Sequence, residues 1–467
     1  MINPNVEAFK RTMTGKKVSV LGLGVSNIPA LGFLSECGAI ITGCDKRSED
    51  VMEPSVMTEI RKHCDFYHLG EDYLDHLEGQ DIVLRSPGIN PSLEQLAKAR
   101  EAGTVITSEM EIFMSLCPCK MIAVTGSDGK TTTTTLIYEI LTAAGYNCYK
   151  GGNIGTPLLD KVESMNPDEI VVLELSSFQL MNIGVSPHVA VITNISPNHL
   201  DYHKDMSEYV EAKATIFAHQ DKNDKLVINA DNSITGSFRG RQKGSLESFS
   251  RLDDTADAYY KDGWLLHKGE KIVEKEKIKI PGWHNVENYL AAICATAGLV
   301  EASHIRKVAE NFGGVEHRME LVRTIDGINF YNDSIGSSPT RTIAGLVAQN
   351  DDVVLIAGGK DKNLDYSELG NVIKDKVKIL VLIGATADKI EASVVKAYGG
   401  LTPAIPITRV DNYKDAVASA FALARGLKPG GNRVSVILSP ASTSFDMFKN
   451  FEERGKTGKK YVNELTE

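Results

Sequence analysis

No run of 18 consecutive apolar residues, the length an α-helix needs to cross a bilayer, occurs in this chain of 467 residues, so no helical membrane span is expected. Residues 1–17 lack the apolar run and small-residue cleavage site of a secretion signal, and a cytoplasmic protein is the expectation. Basic charge is not in excess. With 51 Lys+Arg against 61 Asp+Glu the formal net charge is -10, which argues against non-specific binding to nucleic acid or anionic membranes. The five lysines between positions 268 and 279 are interrupted by glutamates and isoleucines, and read as the polar face of a strand. Cysteine is sparse and odd in number. Of seven, only Cys117 and Cys119 are close, and the second pair that a zinc site needs is missing, so reduced thiols are expected.

What is present is the mix of a globular protein, 42% hydrophobic and 24% charged, and at about 150 residues per domain its length implies roughly three domains. A strand over 17–21, the turn Gly22-Leu-Gly24, a helix over 27–37 and a strand ending at Asp45 make a βαβ unit. A strand over 81–84 then ends in Ser86-Pro-Gly88, followed by a helix over 92–101, a strand at 105–106 and a helix over 109–115. The pattern restarts with strands over 121–125, 169–175, 189–193 and 225–229 and helices over 131–144 and 206–219. Residues 231–280 resemble a hairpin or small antiparallel insertion, and a helix over 286–297 closes the region. Strands over 328–331, 352–357, 377–383 and 433–438, with helices such as 413–425, form a further α/β unit. The fold class is α/β, with mostly parallel sheets covered on both faces.

Ile122-Ala-Val-Thr-Gly-Ser-Asp-Gly-Lys-Thr-Thr132 sets a glycine-containing turn between a buried strand and a helix. Glycine lets backbone N–H groups turn toward phosphate oxygens, Lys130 brings a positive charge to the distal phosphates, and the Thr131 hydroxyl can ligate a metal ion. Val124 stands where the full phosphate-loop pattern wants glycine, so this is a variant with Gly126 two residues closer. The alternative is a tight turn before a threonine-rich helix, poor helix material without a packing or functional reason. Glu174 ends an otherwise apolar strand, where a parallel sheet places ligands; it reads as a magnesium ligand or as a partner of Ser176 or Ser177. A buried carboxylate needs a partner in either case. His199 and Asp201 lie just past another strand, His199 being a second metal ligand or a surface loop residue.

Thr125-Gly-Ser-Asp-Gly-Lys-Thr131, Glu174, Asn198-His-Leu-Asp201, Ala212-Lys-Ala214, His284-Asn-Val-Glu-Asn288, His317-Arg318 and Asn332-Asp-Ser334 together resemble the Mur ligase family. The resemblance runs over essentially the whole chain. It implies a Rossmann-like UDP-substrate domain over 1–110, a central ATP-binding phosphate-loop domain over 111–314, and a Rossmann-like C-terminal domain over 315–467 that binds the amino acid and closes on ATP. Within the family the chain is most similar to members that add D-glutamate to UDP-N-acetylmuramoyl-L-alanine, using ATP and Mg2+ (two ions), and a monomer is expected.

Carried over, the resemblance assigns Gly126, Ser127, Asp128, Gly129, Lys130, Thr131 and Thr132 to ATP phosphates, and Asn285 and Asn288 to the adenine region. Arg318 and Asp333 would meet ATP from the last domain. Thr131, Glu174, His199 and Lys213 would serve the metal site, Lys213 as the position carbamylated by carbon dioxide; residue chemistry alone makes it a solvated helix residue. Ser337, Lys362, Ser444 and Phe451 would contact D-glutamate. The catalytic set is Lys130, Glu174, His199 and Lys213. Three positions depart from the family: Asp128 for asparagine, Ile335 for a usual lysine, and Ser337 for a common threonine.

Alone, Gly22-Leu-Gly24 with Asp45 about 20 residues on suggests a dinucleotide site, but Asn27 occupies the place of the third glycine and crowds the helix–strand packing. The resemblance gives the first domain to the uridine nucleotide, with Val25, Ser26, Asp45, Lys46, Arg47, Ser86 and Asn153. Arg47 suits an anionic substrate or makes a structural salt bridge. Two competing functions stay open: a Mur ligase for a different amino acid, such as an alanine-adding or folate-polyglutamylating enzyme, and a regulator that binds nucleotide without ligation.

Overall fold

The computed structural model describes residues 3–181, 183–197, 202–361, 364–427 and 433–466. They form two compact units, Met1–Asn311 and Phe312–Glu467. The first unit holds two sheets. One contains β1 (Lys17–Leu21), β2 (Ile40–Asp45), β3 (Phe66–Leu69), β4 (Ile82–Arg85) and β5 (Val105–Thr107), in the order β3-β2-β1-β4-β5, all parallel. The other contains β6 (Lys120–Thr125), β7 (Cys148–Gly152), β8 (Ile170–Glu174), β9 (Val189–Ile192), β10 (Lys225–Asn229), β11 (Ser245–Ser250), β12 (Ala258–Lys261), β13 (Trp264–His267) and β14 (Glu270–Glu274). Its order is β14-β13-β12-β11-β10-β9-β6-β8-β7, parallel from β7 to β12 and antiparallel over the last hairpins.

The central strands form where the sequence is uninterruptedly apolar, because helices cover both faces of a parallel sheet. All five residues of β8 are buried, Glu174 included, as are all four of β9. The phosphate-loop strand β6 lies between β8 and β9, whose connections run to opposite sides, so the loops leaving these strands open a crevice at their carboxyl ends. The lysine-rich stretch is not one strand face. Lys271 lies in β14, but Lys275 and Lys277 sit in a one-turn 3-10 helix, and Lys268, in the turn before β14, donates to Glu247 at 2.8 Å. Short-range alternation of charge and isoleucine does not distinguish a strand from the turns at its two ends.

The second unit has β15 (Glu320–Ile325), β16 (Ile328–Asn332), β17 (Asp352–Ala357), β18 (Val377–Ile383), β19 (Ile407–Val410) and β20 (Val434–Leu438), in the order β15-β16-β20-β17-β18-β19. Only the β15–β16 pair is antiparallel. The seven cysteines form no disulfide. No described helix is long and apolar enough to cross a membrane.

One buried carboxyl makes the first unit sensitive to pH. Glu109 opens the helix Glu109–Leu116, is 5% exposed, and its Oε1 has no hydrogen-bond partner. Burial pushes its pKa from 4.5 up to about 7, against the pull of the Leu159 amide. A carboxyl raised on folding favours the folded state most below its unfolded pKa, and that contribution is lost as pH rises through the folded value. Glu109→Gln is therefore expected to stabilise the protein at pH 8 by about 3 kcal/mol, at roughly 1.4 kcal/mol per pKa unit, with the gain vanishing by pH 4. Urea unfolding at the two pH values measures it, and an equal effect at both would contradict this origin.

Candidate active site

The phosphate loop is held from behind by the segment after β9. Gly126 has φ 150°, and a Cβ there would fall 2.0 Å from Thr193 Oγ1. Gly129 has φ 78°, and a Cβ there would fall 2.4 Å from Asn288 Oδ1. Both glycines thus permit a turn and a close approach that a side chain would block. The Ser127 amide donates to Asn194 O at 2.8 Å and the Asp128 amide to Asn194 Oδ1 at 3.0 Å, while Thr193 Oγ1 donates to Asp128 O at 2.6 Å. The sequence expectation of inward-turned amides therefore does not hold for Ser127 and Asp128 in this conformation, because both face Asn194. The donors left to an anion are those of the helix Lys130–Ala143, which starts at Gly129 with no side-chain cap and whose first-turn N–H groups have no intrahelical partner. The Asp128 side chain is exposed, away from the buried floor of the loop.

Two lysines converge on this floor. Lys130 Nζ donates to Gly126 O at 2.8 Å and Ser127 O at 2.7 Å, and Lys213 Nζ donates to the same Gly126 O at 2.8 Å. Lys213 is on the helix Met206–Ala218, 2% exposed, with its ammonium 4.6 Å from the centre of the Tyr209 ring. It is not the solvated residue that helix chemistry suggests: neighbouring Ala212 and Ala214 are buried with it. Burial, and then the like charge of Lys130, bring the Lys213 pKa down to about 7 against the opposing pull of Asp128 and Glu174. Tyr209 also shares a 2.9 Å hydrogen bond with Ser127 Oγ, a tie that no sequence motif announces.

Glu174, paired with Val124 across β8 and β6, is 2% exposed. Its partner is neither Ser176 nor Ser177. Asn153 Nδ2 donates to Glu174 Oε1 at 2.7 Å, and Oε2 is buried with no hydrogen-bond partner. Thr131 is buried at the start of its helix. Asn285 and Asn288, on the helix Trp283–Thr296, are buried and joined, Asn288 Nδ2 donating to Asn285 Oδ1 at 3.1 Å while Thr133 Oγ1 donates to Asn288 Oδ1 at 3.2 Å. The helix thus packs directly on the phosphate loop. His199 lies outside the described residues.

At the first sheet, Asp45 and Arg47 close over the turn after β1. Asp45 Oδ2 accepts from the Leu23 amide at 2.7 Å, and Arg47 pairs with both carboxylate oxygens at 2.9 Å. Burial raises the Asp45 pKa, but the Arg47 side chain and the Arg47 and Leu23 amides more than offset it, leaving it lowered. Asn27 fills the place of the missing glycine, its Nδ2 donating to Leu21 O at 3.1 Å and Gly22 O at 2.9 Å. Gly22, φ 80°, brings the turn against Ser86, whose Cβ would lie 2.8 Å from a Cβ at Gly22. Val25 is 80% exposed, Lys46 is exposed and Ser26 half-buried, so the rim of this turn faces solvent. Tyr202 OH donates to Pro87 O at 3.2 Å, tying the Ser86 loop to the second sheet's loops.

In the second unit, Asp333 follows β16, accepting from the Met319 amide at 3.2 Å and from Ser439 Oγ at 2.6 Å. Burial pushes its pKa up to about 6 despite the Ser439 hydrogen bond. Arg318 and Ser337 are half-buried nearby in sequence, Ser444 is buried, and the half-buried Phe451 ring meets the His317 ring edge-on at 5.9 Å. Arg454, a residue outside every sequence motif, joins these loops. It is fully buried, with Nε donating to Ser334 Oγ at 3.0 Å, one terminal nitrogen to Ser334 O at 2.8 Å and the other to Ser442 O at 2.9 Å. The only sequence signal is the pair Gly455 and Gly458 beside it; a Cβ at Gly455 would fall 2.2 Å from His317 Nδ1, so the helix Phe451–Glu464 sits unusually close. Lys362 lies outside the described residues.

Three family descriptions match the chain: the MurD-like N-terminal domain of Mur ligases over residues 16–108, the Mur ligase middle domain over 124–296, and the Mur ligase glutamate ligase domain over 317–438. The UDP-N-acetylmuramoylalanine–D-glutamate ligase of Ruminiclostridium cellulolyticum is 49% identical over 472 residues, covering 99% of this chain and 100% of the relative. The protein of the same name from Acetivibrio thermocellus is 51% identical over 471 residues, covering 99% and 100%. The crystal structure of the UDP-N-acetylmuramate–alanine ligase MurC from Thermotoga maritima superposes with a TM-score of 0.57 at 18% identity, covering 96% of this chain and 100% of that one, which shows a shared fold. With a phosphate loop on the crevice of a parallel sheet, a buried acid on the adjacent strand and matches along nearly its whole length, the chain belongs to the Mur ligase family.

Proposed function

We propose that the chain is an ATP-dependent ligase that joins D-glutamate to UDP-N-acetylmuramoyl-L-alanine in peptidoglycan precursor synthesis, releasing ADP and phosphate. The observation that carries the chemistry is the convergence of Lys130 and Lys213 on Gly126 O, at the uncapped end of the helix Lys130–Ala143 and within electrostatic reach of Glu174. The choice of substrates follows the two relatives of that name. Residues 1–110 are assigned to the UDP-linked substrate, 111–314 to ATP, and 315–467 to D-glutamate, with Arg318 and Asp333 given to ATP.

A carboxylate is a poor electrophile and needs activation before an amine attacks it. One oxygen of the alanyl carboxylate attacks the γ-phosphorus of ATP, the bond to ADP breaks, and an acyl phosphate forms. Lys130 leaves the loop carbonyls for the phosphoryl oxygens, and the first-turn amides orient them, which is where phosphoryl transfer gains most of its rate. The D-glutamate amine then attacks the acyl carbon and phosphate departs, leaving the amide. Water must be excluded while the acyl phosphate exists.

The donor set fits magnesium. The orphaned Glu174 Oε2 and the Thr131 hydroxyl are hard oxygen donors. Bound there, Mg2+ would neutralise charge on the transferring phosphoryl group. With a pKa of about 7, a substantial fraction of Lys213 is neutral amine at neutrality. That amine can add to CO2, forming an N–C bond and releasing a proton, and the resulting carbamate would offer an oxygen donor to the ion where an ammonium would repel it. Removing CO2 from the buffer is expected to lower the rate several-fold and bicarbonate to restore it; a rate indifferent to both would remove carbamylation from the account.

Product analysis with a panel of amino acids tests the function. An amide with D-glutamate and none with L-alanine or glycine is expected. Amide formation with another amino acid alone would make the chain a different ligase, and nucleotide binding with no amide would favour the regulator.

A further inference from the structure

We propose that Asn153 is a positioning residue for the divalent cation, fixing Glu174 so that one carboxylate oxygen is presented to the ion. The inference rests on the reading of Glu174 as a magnesium ligand and goes beyond it, since resemblance places Asn153 with the UDP-linked substrate.

The geometry is a two-point clamp. The Asn153 amide donates to Glu174 O at 2.7 Å, and Asn153 Nδ2 donates to Glu174 Oε1, also at 2.7 Å. The backbone approaches this closely because Gly152 precedes it: at φ 95°, a Cβ there would fall 2.2 Å from Glu174 O. Gly152 pairs with Glu174 at the end of the β7–β8 ladder, so the chain turns off the edge strand directly over the acid. Asn153 itself is exposed, whereas Glu174 is 2% exposed and its Oε2 is buried without a hydrogen-bond partner.

An amide suits this task for a chemical reason. Nδ2 donates and is uncharged, so it orients the carboxylate without cancelling the charge that attracts a cation. A lysine or arginine would compete with the ion, and an aspartate would repel Glu174. Partners that orient metal-bound carboxylates typically contribute about 10- to 100-fold to metal affinity.

The test is Mn2+ binding to the whole protein in the presence of ADP, followed by electron paramagnetic resonance of the free ion. Asn153→Ala is expected to raise the Mn2+ dissociation constant about 10- to 100-fold. In a Glu174→Gln background, Asn153→Ala should have no further effect on Mn2+, a coupling that general loosening of the fold would not produce. If circular dichroism shows the alanine variant poorly folded, Asn153→Ser carries the same expectation. Unchanged Mn2+ binding with a raised KM for the UDP-linked substrate would overturn the proposal. Asn153-dependent Mn2+ binding in a wild type that forms no amide would leave it standing and refute the ligase reading instead.

Discussion

Lys130→Met is expected to lower kcat about a thousandfold, with little change in the circular dichroism spectrum and only a modest fall in the unfolding midpoint. Removing one preorganised charge donor from a developing oxyanion costs about 100- to 1000-fold in well-studied sites, and phosphoryl transfer relies on such donors more than most reactions. Methionine keeps the length of the apolar stem. The ammonium at present satisfies two carbonyls, Gly126 O and Ser127 O; Gly126 O keeps Lys213, while Ser127 O, in a residue only 7% exposed, loses a donor at a cost of about 1–3 kcal/mol. Folding therefore loses a modest amount, and the reaction loses its principal cation. Steady-state ADP release at saturating substrates measures it; a loss below about tenfold would mean that Lys130 is a fold residue only, the tight-turn alternative of the loop.

The second large effect concerns stability. Arg454→Met removes a guanidinium that satisfies Ser334 Oγ, Ser334 O and Ser442 O in the interior of the second unit. Burial already lowers the Arg454 pKa, so the charge is present at a cost that only its partners offset. Leaving several buried acceptors unsatisfied costs about 1–3 kcal/mol each, and a total near 3–5 kcal/mol is the expectation. Hydrogen exchange should show protection lost in residues 332–337 and 439–444 together, because one side chain ties both loops, and the KM for D-glutamate should rise. Arg454→Lys can reach one acceptor at a time and should recover only part of the protection. Loss confined to the helix Phe451–Glu464 itself would contradict the joint role.

Much of the fold is legible in the sequence because central parallel strands are buried on both faces and read as unbroken apolar runs. β6, β8, β9, β17, β18 and β20 are of this kind. Sequence periodicity is silent on β3, β7, β15 and β19, all of which lie at sheet edges. Half-exposed, with runs such as Phe66–Leu69 and Cys148–Gly152, they carry neither continuous hydrophobicity nor clean alternation. β11 is interior yet hidden by its serines, in Ser245–Ser250.

At the site, the phosphate loop and Glu174 are visible because strand, turn and helix follow one another in sequence. Lys213, Tyr209 and Arg454 are not, since each acquires its role only when a helix packs its side chain onto a loop more than 80 residues away, as in the 82-residue separation of Ser127 and Tyr209. Resemblance to a family supplied Lys213 and left Arg454 unmarked. Asn27 is the instructive intermediate: the missing glycine is legible, while the reason, an amide that ties off Leu21 O and Gly22 O, belongs to the folded chain.

The central claim is activation of a carboxylate by ATP before amide formation. UDP-N-acetylmuramoyl-L-alanine labelled with 18O in both carboxylate oxygens, incubated with the protein, ATP, Mg2+ and D-glutamate, tests it most directly. The account predicts one labelled oxygen in the inorganic phosphate for every amide formed, with the other retained in the amide carbonyl. Amide without label in phosphate, or ADP release without amide, would contradict it.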